Sequence, residues 1–138
     1  MSIVSAADLN TFFIDNFPGD RGQPPDITLA EDGRILMHQV MEERNLRPPN
    51  YINGPTQMAM ADHCAYCVIF TLIGITPMAV TSNLNIDFLR PCLGETLHAE
   101  GRMIKLGKSL AVISVEMKGG ANDKLASRAT VTYALPTQ

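Results

Sequence analysis

The chain has no tryptophan, few aromatic residues (6%) and a low fraction of charged residues (18%). The formal net charge is −3 and no cluster of basic residues occurs, which argues against a nucleic-acid-binding protein. The three cysteines are an odd number. They indicate a reducing compartment, which we expect to be the cytoplasm, rather than a framework of disulfide bonds.

Long apolar runs are also missing. The uncharged run after His63 covers residues 64–75, well short of the roughly 18–20 apolar residues that span a bilayer. The first residues have no basic start and no cleavage-like site, so we expect no signal peptide. The 138 residues, 46% of them hydrophobic, predict one domain over residues 1–138, with enough apolar surface to favour an oligomer.

The segment from Tyr51 to Ile75 predicts a long central helix. Asn53 and Gly54 precede Pro55, and proline suits the first helical position because its missing N–H costs nothing there. Apolar residues cover nearly the whole circumference, which is typical of a helix buried on all sides. One formally charged side chain, Asp62, lies within it. A buried carboxylate must be paired, protonated or part of a reaction.

The segments before this helix predict one further helix and one strand. Apolar spacing predicts an amphipathic helix over residues 5–17, with Ser5 as its N-cap. Turn residues predict a surface loop over residues 19–26. Residues 34–44 are expected to form the first strand, although a helix is also compatible with them, and the proline-containing residues 45–50 are expected to be irregular.

Four strand patterns follow the central helix, over residues 78–89, 95–106, 109–118 and 124–135. Short connections that contain glycine predict antiparallel neighbours. One sheet must then cover a helix that is apolar on most sides, and a strongly curved sheet covers more of it than a flat one. The predicted fold class is α+β, with a curved antiparallel sheet wrapped around one long central helix.

Several short motifs occur in a fixed order along this pattern. Asn53-Gly54-Pro55 leads into the helix, and Asp62 lies nine positions after Asn53. The later motifs are the run at 85–91, the turns at 94–95 and 107–109, and the strand residues 124–129. Together they resemble the hotdog-fold thioesterases, in particular the subgroup named for the phenylacetate-pathway acyl-CoA thioesterase. The resemblance covers roughly residues 33–135 and leaves residues 1–32 as an N-terminal extension.

The resemblance implies an acyl-CoA thioesterase that releases a free acid and CoA without a metal or other cofactor. It implies that the Gly54 N–H points at the thioester oxygen, at a helix N-terminus that favours developing negative charge. It makes Asp62 the nucleophile or the general base. It further implies a homodimer or a dimer of dimers in which Asp62 of one protomer faces the Asn53-Gly54 turn of its partner.

Further candidates for the site follow from position. Asn53 stands where the family has histidine; it can cap the helix or donate from its amide, but it cannot act as an acid or base. Thr81 matches a Ser/Thr position that helps to hold the attacking water in some relatives. The candidates for binding the acyl group and CoA are Met58, Tyr66, Asn85, Arg90, Lys108 and Ser109.

Structural roles compete with these functional ones. Asp62 could be a structural acid bonded to the backbone. Cys64 and Cys67 lie well inside the helix, where small buried side chains are the default rather than a redox or zinc pair, and His63 is expected to lie in the core or an interface. Two other functions stay open: a hotdog module that binds acyl-CoA without hydrolysing it, and an enoyl-CoA hydratase. The expected partners are an acyl-CoA and a second copy of the chain, with no nucleic acid and no membrane.

Overall fold

The computed structural model describes residues 2–17 and 24–136. Its two α-helices are α1 (Ala6–Asn16) and α2 (Gly54–Ile73). A pair of two-residue strands precedes α2. The strands, in chain order, are β1 (Asp26–Glu31), β2 (Arg34–Val40), β3 (Leu46–Arg47), β4 (Tyr51–Ile52), β5 (Val80–Phe88), β6 (Thr96–Leu106), β7 (Leu110–Gly119) and β8 (Ser127–Ala134).

Six of these strands form one antiparallel sheet in the order β1-β2-β6-β7-β8-β5. One face of the sheet packs on α2. Alternate residues of β7 and β8 are buried there, as expected for a sheet with one face in the core. The predicted α+β architecture, with an antiparallel sheet around a central helix, is confirmed. The two edges of the sheet are β1 and β5.

Helix α1 confirms the amphipathic helix predicted over residues 5–17. Ser5 is its N-cap: the side-chain hydroxyl accepts from the Asp8 N–H, and the Asp8 carboxylate accepts from the Ser5 N–H in return. Leu9 and Phe13 are buried against the rest of the protein. A side chain on the same helix, Asn10, accepts a hydrogen bond from the Ile27 N–H (3.0 Å) and so connects α1 to β1.

Leu9 is fully buried, and we expect Leu9→Ala to lower the free energy of unfolding by roughly 2–5 kcal/mol, because the substitution removes buried methyl groups and leaves a cavity. Ile14 on the same helix is 63% exposed, so Ile14→Ala is the matched control and should change stability by less than about 1 kcal/mol. Urea unfolding measures both. Equal losses in the two variants would mean that α1 does not dock as described.

Two predictions about the segments around β1 were partly wrong. The strand predicted over residues 34–44 is present as β2, but it is not the first strand, because β1 precedes it and pairs with it through a turn at Asp32-Gly33. Gly33 has φ +74°, a conformation that favours glycine, and the Asp-Gly pair is the signal that could have revealed this hairpin. Residues 19–26 were expected to be loop; 18–23 lie outside the described residues, and Asp26 already belongs to β1.

The short link between β5 and β6 does not join neighbours. Strand β5 pairs with β8 at the sheet edge, whereas β6 lies between β2 and β7. The β6–β7 and β7–β8 connections do join antiparallel neighbours, as predicted. A link is read as a hairpin from its length and its glycine, but these do not reveal a chain that crosses to another part of the sheet.

The central helix is not buried on all sides. Its core face is fully buried around Cys64 and Val68, but Met58 is 42% exposed and Ala59 is also exposed. Beside this uncovered face runs β5, where Val80 and Phe88 are 59% and 51% exposed. An uncovered apolar helix face next to an unpaired strand edge is typical of a surface that associates with another chain.

Candidate active site

Asp62 lies on the third turn of α2, half-buried, and two hydroxyl groups hold one of its carboxylate oxygens. Thr81 Oγ1 donates to Oδ1 at 2.6 Å, and Tyr133 OH donates to the same oxygen at 2.8 Å. The Tyr133 OH also lies 3.1 Å from the Asp62 carbonyl oxygen. Thr81 and Tyr133 are directly paired across β5 and β8. The sheet therefore presents two donors to one point on the helix.

The other carboxylate oxygen of Asp62, Oδ2, receives no hydrogen bond from residues 2–17 or 24–136. A carboxylate with one oxygen fixed and the other open has a defined orientation and a free lone pair. Such a group can accept a proton from water or attack a carbonyl carbon.

Tyr133 is a residue of this site that the sequence did not indicate. The residue is 4% exposed, and burial raises the pKa of its hydroxyl well above the usual value, with Asp62 adding to the rise and Thr81 opposing it. The hydroxyl is therefore a neutral donor at physiological pH. The alternating pattern of β8 predicts that residue 133 faces the core, but only the tertiary structure shows a carboxylate within its reach.

Asn53 has a structural role at the start of α2. Its side-chain oxygen accepts from the Thr56 N–H at 2.8 Å, and its amide nitrogen donates to the Arg44 carbonyl at 3.2 Å. Both ends of the amide are therefore engaged with backbone groups, as in a typical N-cap. The next residue, Gly54, has no backbone hydrogen-bond acceptor for its N–H in the described part of the chain.

A cavity of about 490 Å³ opens beside Gly54. The Phe88 ring forms one wall: a Cβ added at Gly54 would meet Phe88 Cζ at 3.3 Å, so a side chain here would force the ring to shift. Two cations line the same cavity, Arg47 and Arg90. The Arg90 guanidinium also donates to the Leu125 carbonyl, which fixes it at the rim. Free N–H groups and cations of this kind can bind phosphate.

Asp62 and Gly54 of one protomer do not meet. They are eight residues apart on one helix, and a rise of 1.5 Å per residue separates them by about 12 Å. A carbonyl oxygen that binds the Gly54 N–H therefore cannot place its carbon within reach of Asp62 in the same protomer.

The structure places the other predicted residues at four locations. Tyr66 packs next to the acid, with its ring 5.7 Å from that of Tyr133 and its hydroxyl donating to the Pro77 carbonyl. Met58 lies on the uncovered face of α2. Asn85 is exposed on β5 and donates to Asn83 (3.2 Å).

Lys108 and Ser109 lie in the exposed turn between β6 and β7, where the Ser109 carbonyl accepts from the Leu135 N–H. No hydrogen bond joins this turn to Asp62 within the described residues. Their predicted role in binding CoA stays a prediction.

His63 follows Asp62 in the chain and is partly buried against α1, with its Nε2 atom shielded from solvent. Its ring centroid lies 4.1 Å from that of Phe13, and its Nε2 has no hydrogen-bond partner among the described residues. Desolvation lowers the pKa of His63 to about 4, an effect that the charge of Asp62 partly opposes. The expectation that His63 is a core residue fits this packing.

We expect the free energy of unfolding to decrease as the pH is lowered from 7 to 4, because of His63. Above the ordinary pKa of about 6.5 the imidazole is neutral in both states; below it only the unfolded state takes up a proton, until the folded state follows at about 4. His63 should therefore remove at most about 3 kcal/mol between pH 7 and pH 4. Urea unfolding of wild type and His63→Leu at these two pH values measures it; the variant should lose less, and equal losses would contradict the prediction.

All three cysteines lie inside the protein. Cys64, Cys67 and Cys92 are all unpaired and buried, and burial raises the pKa of each thiol, that of Cys92 to about 11. They therefore act as small core side chains.

Within the described residues, no group of three or more histidine, cysteine or acidic side chains could hold a metal ion. None of the helices described is long and apolar enough to cross a membrane.

Comparison with known proteins finds a matching family and a related sequence. The family model described as "Thioesterase superfamily" matches residues 49–126. A Thermoplasma acidophilum protein named "Putative esterase Ta0293" is 27% identical over 108 residues, covering 78% of this chain and 80% of its own.

Two solved structures have the same hotdog fold. One is a putative thioesterase from Silicibacter (TM-score 0.86, 29% identity, 99% of this chain and 94% of that one). The other is a Streptococcus mutans protein bound to acetyl-CoA (TM-score 0.72, 21% identity, 89% of this chain and 98% of that one).

Proposed function

Because the chain belongs to the Thioesterase superfamily, we propose that it is an acyl-CoA thioesterase that hydrolyses the thioester to a free acid and CoA. The observation that carries this proposal is the Asp62 carboxylate, held by Thr81 and Tyr133 on Oδ1 and open at Oδ2. Hydrolysis of a thioester needs an attacking oxygen or a base that activates water, and an oriented half-open carboxylate supplies either.

The working unit in this proposal is a homodimer. Strand β5 is an unpaired sheet edge, and an antiparallel pairing of β5 with β5 of a second copy would extend the sheet across a two-fold axis. It would also cover the exposed side chains of Val80, Phe88 and Met58. The two α2 helices would then run antiparallel and side by side. Such an arrangement brings Asp62 of one protomer towards Gly54 of its partner. Within one protomer these two residues cannot act on the same thioester, because about 12 Å separates them along α2.

The reaction follows from these two groups. The thioester carbonyl oxygen accepts the partner's Gly54 N–H, whose position at a helix N-terminus favours the negative charge that develops there. In the general-base route, Asp62 Oδ2 takes a proton from water while the water oxygen bonds to the carbonyl carbon. The carbon–sulfur bond then breaks, and the proton on Asp62 passes to the CoA thiolate. In the nucleophilic route Oδ2 bonds to the carbon itself, the carbon–sulfur bond breaks and CoA leaves as the thiolate. Water then hydrolyses the anhydride, which releases the acid and restores the Asp62 carboxylate, and a proton from this water passes to the CoA thiolate.

Coenzyme A is the proposed thiol because the Gly54 cavity has cations at its rim. Arg47 and Arg90 could meet the phosphates of a coenzyme whose pantetheine arm reaches Gly54. The Streptococcus mutans structure of the same fold, bound to acetyl-CoA, supports this choice. We further propose that Lys108 and Ser109 of the β6–β7 turn contact the coenzyme and that Met58 and Tyr66 line the acyl pocket. Three reduced, buried cysteines fit a cytoplasmic protein.

A thiol-release assay over short, long and aryl acyl-CoAs tests the proposal. We expect saturable release of CoA with at least one class, and activity towards aryl substrates would support the phenylacetate-pathway subgroup. The alternative is a binding module, and Asn53 favours it, since a helix cap engaged with the backbone supplies no titrating group at this turn. Tight binding of acyl-CoA across the panel without release of CoA would overturn the thioesterase proposal in favour of that module.

A further inference from the structure

We propose that Tyr133 is a positioning residue that, together with Thr81, selects Oδ2 of Asp62 as the reacting oxygen. The inference rests on the proposed hydrolysis at Asp62 and concerns how this chain prepares its carboxylate. The two hydroxyls approach one and the same oxygen, at 2.8 Å and 2.6 Å. Donation to one oxygen alone removes the equivalence of the two.

The two donors come from rigid elements. Thr81 and Tyr133 are cross-strand partners in β5 and β8, and the ring of Tyr133 is fixed by burial and by its contact with Tyr66, 5.7 Å between centroids. The two donors lie on the sheet and the acid lies on α2. The orientation of the Asp62 carboxylate therefore depends on how the sheet packs against that helix. The reacting oxygen therefore has a fixed direction before substrate binds, which lowers the cost of reaching a reactive geometry.

The register of β5 fits this arrangement. The pairing of β5 with β8 shifts between Thr81 and Asn83, so that Ser82 has no partner in the ladder. An extra residue of this kind re-aims the side chains beside it, and bulges are common next to active sites. On the far side of the bulge, Leu84 and Ile86 pack against the core while Asn83 and Asn85 are exposed. The bulge thus separates the donor to Asp62 from the regular part of the strand.

A purely structural reading of Tyr133 makes different predictions. Tyr66 is an example of a tyrosine with a structural role, because its hydroxyl donates to the Pro77 carbonyl rather than to an acid. A structural hydroxyl contributes to stability, so its removal lowers the melting temperature and leaves the kinetics of the folded protein unchanged. A positioning hydroxyl changes kcat and the pH dependence of kcat.

The experiment compares Tyr133→Phe, Thr81→Val and the double variant in steady-state thiol release. We expect each single variant to lose roughly 10- to 100-fold in kcat with KM changed less than about threefold, because one of the two hydrogen bonds that orient the Asp62 carboxylate is lost. The double variant should lose more than the product of the two single losses, since in each single variant the remaining hydroxyl still holds Oδ1. Thr132→Val is the matched control, because it removes a hydroxyl from the opposite face of β8 and should keep wild-type kcat.

The pH–kcat profile gives the second readout. A carboxylate that loses a hydrogen-bond donor takes up a proton more readily, so the acidic limb of the profile should move to higher pH in Tyr133→Phe. The titratable groups around Asp62 are His63 on its own helix, Tyr66 one turn further and Tyr133 itself. The limb should move in Tyr133→Phe and stay in place in Thr132→Val.

The outcomes separate this inference from the proposed function. Suppose that Asp62→Asn is inactive and that Tyr133→Phe has wild-type kcat and an unshifted pH–kcat profile. That result would overturn the role of Tyr133 and leave the proposed thioesterase function intact. Full activity of Asp62→Asn would overturn the proposed function itself. Strictly multiplicative losses in the double variant would contradict joint action of the two hydroxyls on Oδ1. Melting curves of all variants establish that the kinetic differences belong to folded protein.

Discussion

Asp62→Asn should lower kcat for the best acyl-CoA substrate by roughly 10²- to 10⁴-fold, with little change in the melting temperature. Asparagine keeps an oxygen at the position of Oδ1, so the hydrogen bonds from Thr81 and Tyr133 survive. It replaces Oδ2 by an amide nitrogen, which can neither take a proton from water nor attack a carbon. The substitution therefore removes the proposed chemistry and retains the contacts that hold the site together.

Thiol release and ligand binding together measure this result. The variant should still bind CoA with an affinity close to that of wild type, since Asp62 is proposed to act on the thioester carbon, whereas the phosphates of CoA are proposed to contact Arg47 and Arg90. Asp15→Asn removes the same charge from the exposed surface of α1 and is the matched control. A rate within tenfold of wild type in Asp62→Asn would mean that another group activates the water.

Activity should return in a mixed dimer that contains one subunit of each of two inactive variants. The first is Asp62→Asn. The second, Gly54→Pro with Pro55→Ala, moves the proline back by one position and so deletes the N–H proposed to bind the thioester oxygen. Loss of such a donor costs about 10²- to 10³-fold in kcat. In a mixed dimer, the native Asp62 of the second variant faces the native Gly54 of the first, and one of the two sites is complete.

The two variants are co-expressed with different affinity tags, and the mixed dimers are purified over both tags in turn. These dimers should show about half the wild-type kcat per dimer, whereas either pure variant should be far slower. Proline suits the first helical position, and Asn53 already has the extended backbone (ψ 160°) that a residue before proline requires. Pro55→Ala alone keeps the Gly54 N–H and is the first control, with activity near wild type. Gly54→Ala is the second control, because it keeps the N–H and adds a Cβ against the Phe88 ring, and so measures the cost of shifting that ring. Mixed dimers as inactive as the pure variants would exclude a site built from two protomers.

The sequence determined the elements that depend on local patterns. The amphipathic spacing of α1, the apolar run of α2 and the alternation in β5 to β8 each predicted the observed element, because these signals depend on neighbouring residues. The Ser5 cap was predicted for the same reason. The missed hairpin of β1 and β2 was also local, and its signal was the Asp32-Gly33 pair.

The site was predicted only in part. Asp62 stood out because it is the one formally charged residue of an apolar helix, and its role was implied by the resemblance to the hotdog-fold thioesterases, whose spacing it matches at nine positions after Asn53. Tyr133 did not, since it lies 71 residues from Asp62 along the chain and has the appearance of an ordinary strand residue. The strand order was likewise inaccessible, because β5 pairs with β8 rather than with β6, which follows it in the chain.

The sequence by itself thus determined a buried helix with one acid and strands to cover it. The tertiary structure alone decided which oxygen of that acid is held, by which two hydroxyls, and which helix face and strand edge remain uncovered. The physical reason is that the sequence patterns that predict helices and strands depend on residues close in the chain. A carboxylate's orientation depends instead on side chains that meet only when the sheet closes over the helix.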